Sequence, residues 1–292
     1  MSEFSWSAST ADKAPAPRRD AEPDHAGHAA GYAKPVGVAL TGQHLAALLA
    51  DRGLAARLNA SGLAFAIAGI DRVDRGLPRQ RQTGGGTGTI VEPSVAAAML
   101  AAQTPDLGWL AAAVHRNVPG SLARRAVPAD YLPGGRPGVL LGLNDQDAEA
   151  GPQQDPVLAW RVENTGEAAA ASRVADILIW PAGRPDRLGL IAAAGSGVRL
   201  FLEIPAGGVD LGARLAGHLA DARVAGVVLR PWGTESALRE FAVQVLPGLA
   251  GSGAFRNARS GALRERLSLP AATARPAIPS AEPDPQRALA AW

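Results

Sequence analysis

PVLAWRVENTGEAAAASRVADILIW, residues 156–180, holds the fold in miniature. Its two ends, PVLAWRV (156–162) and ADILIWP (175–181, one residue further), are short, near-continuous apolar runs. Neither alternates polar with apolar, which is the pattern expected of parallel strands covered on both faces. Between them, TGEAAAASRV (165–174) suits a helix. Strand, helix and strand in this order make a parallel crossover unit.

The same unit recurs in both directions along the chain. Six further apolar runs are PVGVAL (35–40), LAFAIAGI (63–70), LGWLAAAV (107–114), PGVLLGL (137–143), VRLFLEI (198–204) and VAGVVLR (224–230). Helix-compatible segments lie between most of them: GQHLAALLADRGLAARLNA (42–60), EPSVAAAMLAAQ (92–103), DRLGLIAAAG (186–195) and DLGARLAGHLADA (210–222). After the eighth run, Leu238, Phe241, Ala242, Val245, Leu246 and Leu249 recur at the spacing of one helix face. Eight strands alternating with helices and ending in a helix predict an α/β fold, a (β/α)₈ TIM-like barrel. An open doubly wound sheet uses the same units, and the count of eight favours the barrel. One interval departs from the rule. NDQDAEAGPQQD (144–155) is polar, contains Gly151 and Pro152, and offers no apolar stripe for a crossover helix. The barrel is expected to be thinly covered there.

The barrel is expected to occupy residues 34–275. Residues 1–33, rich in Ala, Pro, Asp, Ser and Gly without apolar periodicity, read as a disordered N-terminal tail. Residues 276–292 read as a Pro-rich C-terminal tail. The first tail carries DHAGH, whose histidines lack further ligands nearby and read as solvent-exposed, so no metal site is expected.

Bulk composition narrows the functions. The chain of 292 residues is 47% hydrophobic and 19% charged, a globular balance. It has no cysteine, which excludes thiol nucleophiles, disulfides and thiolate metal sites. The start, MSEFSWSAST, lacks the basic and apolar regions of a secretory signal, and no run is long enough to span a membrane. A cytoplasmic protein is expected. The pI is near 9.5, yet net charge is only +2 and the arginines are scattered among acids. A nucleic-acid surface needs a clustered basic patch, so no nucleic-acid partner is expected.

Three segments resemble the bacterial-luciferase-like flavin-dependent monooxygenases, in the branch of the nitrilotriacetate and dibenzothiophene-sulfone enzymes. PGSLARRAVPADYLPGGRPG (119–138) is similar to the stretch before that family's fourth strand. LREFAVQVLPGLAGSGAFRNARSGALRERLSLP (238–270) is similar to its last helix and tail, and is the most specific of the three. The fifth unit keeps the family's spacing from Pro156 to the Ala175-Asp176 pair. The resemblance spans roughly residues 35–275 and marks a shortened, divergent member. It implies reduced FMN at the C-terminal ends of the strands, activation of dioxygen and oxygenation of a small organic substrate. It also implies a separate flavin reductase as partner and, with the thin cover at 144–155, a homodimer.

The resemblance places candidate residues in the loops after the strands. After the second strand, Asp71 stands near the family's acid beside the flavin, or is a surface acid paired with Arg72 or Arg75. After the third, the family's threonine-rich turn is replaced by AAAVHRNV (111–118), where His115 is the catalytic candidate and Asn117 a cofactor contact. A lone histidine is also a common structural donor. Asn144 is the first polar residue after the fourth strand, and the family's long excursion there is missing. After the fifth, where the family places small residues and serine on the phosphate, the corresponding residues are Val162, Glu163 and Asn164, followed by Thr165 and Gly166; Asn164, Thr165 and Gly166 are the cofactor-binding candidates. Glu163 would oppose a phosphate if it pointed inward, and the sequence does not set its direction. RQTGGGTGT (81–89) matches neither phosphate-loop nor dinucleotide fingerprint, and reads as a loop that could serve as a lid. Arg116, Arg161 and Arg230 lie near strand ends and read as solvent-facing, though they could serve a deazaflavin or a small organic anion. The joint loss of the family's site residues leaves open a non-catalytic relative that serves as a binding or partner-stabilising module.

Overall fold

The computed structural model describes residues 34–73, 91–112, 137–141, 157–184, 197–251 and 262–270. The predicted tails, the glycine loop at 81–89, the 144–155 interval and the helix expected over 186–195 lie outside them.

Eight parallel strands close into a barrel in chain order, the eighth pairing back onto the first. They are β1 (Val36–Leu40), β2 (Phe65–Ala68), β3 (Gly108–Ala112), β4 (Pro137–Leu141), β5 (Val157–Arg161), β6 (Ile177–Pro181), β7 (Arg199–Pro205) and β8 (Gly226–Arg230). Each falls within, or one residue beyond, one of the eight apolar runs. Closure removes both sheet edges, so every strand can be as apolar as these are.

The helices in between cover the outside. Described helices are α1 (Gly42–Ala50), α2 (Arg52–Asn59), α3 (Pro93–Gln103), α4 (Thr165–Ala171), α5 (Leu211–Ala220), α6 (Glu235–Glu240), α7 (Leu246–Gly251) and α8 (Leu263–Arg266). The single helix expected over 42–60 is two, because the Asp51 carboxylate accepts from Gly53 and Leu54 N–H and starts a new helix there. The face from Leu238 to Leu249 is buried as its spacing predicted, with Val245 half-buried, but a π-helical turn (Phe241–Val245) separates α6 from α7.

Alternation along the strands divides two cores. Outward residues such as Val38, Leu40, Trp109, Leu178 and Leu202 pack with Leu45, Leu48, Leu100 and Leu215 of the helices. Inward residues fill the barrel itself: Ala39, Phe65, Ile67, Leu110, Val157, Ala159, Ile177, Ile179, Phe201 and Val228. Phe65 and Phe201 meet edge to face at the centre, ring centroids 5.7 Å apart. Each takes the room of a glycine on the neighbouring strand. A Cβ on Gly37 would lie 2.4 Å from the Phe65 ring, and one on Gly226 would lie 2.3 Å from the Phe201 ring. Where β2 ends, Gly69 adopts φ 78, and a Cβ there would collide with Pro93 at the head of α3.

The N-terminal end of the barrel is stoppered by α8. Leu263 is fully buried against Gly108 and Gly138, with Leu267 beside it in the inner core. Arg264 clamps Asp176, just before β6, at 2.7 Å, and Arg266 donates to the Asp106 carbonyl just before β3. The segment with the most specific family likeness therefore lands, through α8, on the stability face.

Candidate functional site

The opposite, C-terminal mouth is built differently. Continuing the inward positions of β5, β7 and β8 by one step beyond Ala159, Phe201 and Val228 reaches Arg161, Glu203 and Arg230. The last inward layer is thus ionic where the layers below it are apolar. Arg161 Nε donates to Glu203 Oε2 at 2.7 Å and its Nη2 to Oε1 at 3.3 Å. From the other side Arg230 Nη1 donates to Glu203 Oε1 at 2.8 Å. Arg161 and Glu203 come from alternate strands and meet across the barrel, as side chains of one barrel layer do. Both are only 5% exposed, while the Arg230 side chain keeps 18%. The expectation of solvent-facing arginines is therefore wrong for Arg161, and Arg230 is half-buried. Inward parity at a strand end overrides the rule that charges face water, because Glu203 compensates the buried guanidinium.

Glu163 resolves its own question. It stands half-buried above the layer, with Oε1 3.3 Å from Arg161 Nη1 and Oε2 3.6 Å from Arg184 Nη2. Its charge is engaged by two guanidiniums rather than turned bare toward the mouth. Among the described residues this assembly joins three arginines to two glutamates, an excess of positive charge.

The turn from β5 into α4 is fixed by hydrogen bonds. Asn164 caps the helix, its Oδ1 accepting from Glu167 N–H at 2.8 Å. Glu167, buried, accepts from Glu163 N–H at 2.9 Å and from the Trp160 indole at 3.1 Å. Asn164 and Gly166 are exposed and Thr165 half-buried on this rim. Across β1 and β2, exposed Asp71 accepts from Gly42 N–H at 3.1 Å, tying the turn after β2 to the head of α1. His115, Asn117, Asn144 and Arg116 lie outside the described residues.

His44, Glu203, Arg184 and Trp232 were not singled out by the sequence. His44 is fully buried; its Nδ1 accepts from Thr41 N–H, and its Nε2 donates to the carbonyls of Trp232 at 2.6 Å and Thr234 at 3.1 Å. This ties α1 to the loop after β8. Burial holds its pKa below the ordinary 6.5, with Arg230 acting in the same direction; the two carbonyls and Asp71 act against it. The neutral ring satisfies these bonds with its Nε2–H tautomer. Trp232 itself is 73% exposed on the rim, against the loop after β7: a Cβ on Gly207 would lie 3.1 Å from its Nε1. The signal for Glu203 was available, since it is a lone acid inside VRLFLEI two residues after an inward phenylalanine. No helix among the described residues is long and apolar enough to cross a membrane, and no metal-binding group of three or more His, Cys, Asp or Glu occurs among them.

No protein-family model matches the chain, and no curated protein does. Solved structures do. The EDTA monooxygenase EmoA from Chelativorans sp. BNC1 matches at TM-score 0.52 and 15% identity, over 81% of this chain and 98% of that one. The long-chain alkane monooxygenase LadA matches at TM-score 0.59 and 12% identity, over 82% and 96%. The riboflavin lyase RcaE, solved with modified FMN and riboflavin, matches at TM-score 0.54 and 14% identity, over 80% and 95%. At such identities the likeness establishes a shared barrel fold.

Proposed function

We propose that the chain is a reduced-FMN-dependent monooxygenase or oxidoreductase of the luciferase-like class, acting on a small organic substrate in the cytoplasm. The observation that carries this is the buried Arg161–Glu203–Arg230 layer at the barrel mouth. Burying charges costs several kcal/mol per ion before pairing repays it, and an apolar layer would serve stability as well or better. Inward-facing charge at the C-terminal end of a barrel marks the end that binds. Enzymes solved with this fold include flavin-linked ones, as the RcaE structure holds modified FMN.

The donor set on the rim fits an anionic cofactor. Thr165, Gly166 and the exposed Arg184 would hold the phosphate, with Asn164 contributing only its amide nitrogen because its oxygen caps α4. Glu163 permits this, since Arg161 and Arg184 offset its charge. Asp71, Asn117 and Asn144 would line the remaining cofactor contacts and His115 would face the reacting centre. When bound, reduced FMN would supply two electrons to dioxygen, placing one oxygen atom in the substrate and the other in water. The barrel's part is to orient the ring and keep water out. A separate flavin reductase would deliver the reduced cofactor, and the chain would work as a homodimer.

The test is an anaerobic fluorescence titration with reduced FMN. Saturable binding at micromolar concentration is expected; no binding at high micromolar concentration removes the proposal. The competing role, a non-catalytic binding module, draws support from Asn164, whose oxygen is already spent on its own helix. It predicts that no organic substrate yields an oxygenated product in the presence of reduced FMN and dioxygen.

A further inference from the structure

His44 is held by backbone groups whose hydrogen-bonding roles are fixed. Its ring is fully buried, and Nδ1 meets the Thr41 N–H at 3.3 Å, a group that can only donate. Nε2 meets the carbonyl oxygens of Trp232 at 2.6 Å and of Thr234 at 3.1 Å, groups that can only accept. One form of the imidazole satisfies all three, the neutral Nε2–H tautomer. A proton added at Nδ1 would set one N–H against another, with no water within reach of either. The arrangement therefore holds for the neutral ring and fails for the charged one.

What the ring holds together lies on the C-terminal mouth. On one side it completes the head of α1: Thr41 Oγ1 accepts from His44 N–H at 3.4 Å while the Thr41 N–H donates back to the ring. On the other it holds the loop after β8, 188 residues away. Thr234 of that loop in turn starts α6, its Oγ1 accepting from Ala237 N–H at 3.3 Å and its carbonyl from Leu238 N–H at 3.1 Å. The charged groups around the ring are few. β1, α3 and the rest of α1 carry none. Asp71, tied to Gly42 N–H at 3.1 Å, favours the charged ring, and Arg230 at the end of β8 opposes it. On α6, Glu235 and Arg239 pair with each other and with Asp51, and Glu240 is exposed.

We propose that His44 is a pH-operated latch on the mouth: neutral, it pins the loop after β8 to the head of α1; protonated, it releases both while the barrel stays closed. Burial holds the ring's pKa below the ordinary 6.5, so the latch is shut at neutral pH and opens on the acid side. The strand ladder does not use it, since β8 pairs with β1 and β7 through its own backbone. What acid loosens is the rim alone, and with it the access to the hollow. The device is the same whichever ligand the mouth takes.

Amide hydrogen exchange of the full chain without flavin, between about pH 7.5 and 5 and corrected for intrinsic rates, tests this. Protection is expected to fall at the His44, Leu45, Ala237 and Leu238 amides, by up to about ten-fold for each pH unit below the folded-state pKa of His44. The amides of β2 (Phe65–Ala68) are expected to hold over the same range. An NMR titration of the His44 ring should share the midpoint of that fall. His44→Gln keeps a side-chain donor but does not titrate, and is expected to leave the four amides equally protected throughout. The proposal is overturned if the ring takes up a proton with the four amides still protected, or if it does not titrate before the barrel unfolds. It is also overturned if β2 loses protection in step with them, or if His44→Gln shows the same fall. Should that variant fail to fold, the two midpoints of the unaltered chain decide the matter. With no flavin present, neither result bears on the flavin reading.

Discussion

The two ends of this barrel are made of the same strands and solve opposite problems. At the N-terminal end, α8 pushes Leu263 between strands thinned to Gly108 and Gly138, while Arg264 and the buried Arg266 latch the helix to Asp176 and the Asp106 carbonyl. At the C-terminal end, beside the buried Ile70 after β2, Arg161, Glu203 and Arg230 occupy the inward positions of β5, β7 and β8. One end is closed for stability. The other keeps charge in a place where stability alone would not put it, and the difference between them is the strongest pointer to where this protein works.

The comparison can be broken most forcefully at Glu203. Removing it by Glu203→Ala takes the shared carboxylate from two guanidiniums in a half-dry site, and should cost about 3–5 kcal/mol in denaturant unfolding, the usual penalty for breaking a buried ion pair from one side. Replacing all three members together, Arg161→Met with Glu203→Leu and Arg230→Met, should instead be neutral or stabilise the fold by about 1–4 kcal/mol while abolishing ligand binding. If the triple variant proves as damaged as the single one, the layer is structural and the contrast between the ends disappears.

At the other end Leu263→Ala should cost about 2–5 kcal/mol, a buried leucine lost from a core that cannot collapse around it. Ligand affinity at the mouth should be unchanged in whatever fraction remains folded, measured by titration below the melting midpoint. Loss of affinity in fully folded protein would mean that the plug shapes the mouth as well.

The smallest expected effect concerns His44. Its pKa is lowered in the folded chain, so the unfolded chain takes up a proton first as pH falls. The melting midpoint should therefore hold above about pH 6.5 and decline below it, until the folded-state pKa is passed. His44→Asn should flatten that part of the profile. A midpoint that rises between pH 7 and 5.5 would contradict the assignment.

Much of the barrel was legible in the sequence because near-continuous apolar runs leave few alternatives to parallel strands covered on both faces. Strand ends were placed to within a residue or two, since glycine, proline and polar residues bound the runs. Helix boundaries were less legible: Asp51 splits one predicted helix through a carboxylate cap whose presence depends on side-chain direction. The site was legible only in part. Asn164, Thr165 and Gly166 do lie on the rim, and Asp71 does follow β2, but Asn164 and Asp71 each spend an oxygen on a helix head. Glu203 escaped notice because it reads as one acid in a strand. Only closure of the barrel brings it between arginines that are 42 residues before it and 27 after it.

The most direct test of the central claim is a crystal structure of the chain prepared anaerobically with reduced FMN. The account predicts an isoalloxazine ring in the C-terminal mouth, above Arg161, Glu203 and Arg230, with the phosphate toward Thr165 and Arg184. A mouth without flavin at saturating concentration, or flavin seated elsewhere on the molecule, would contradict it.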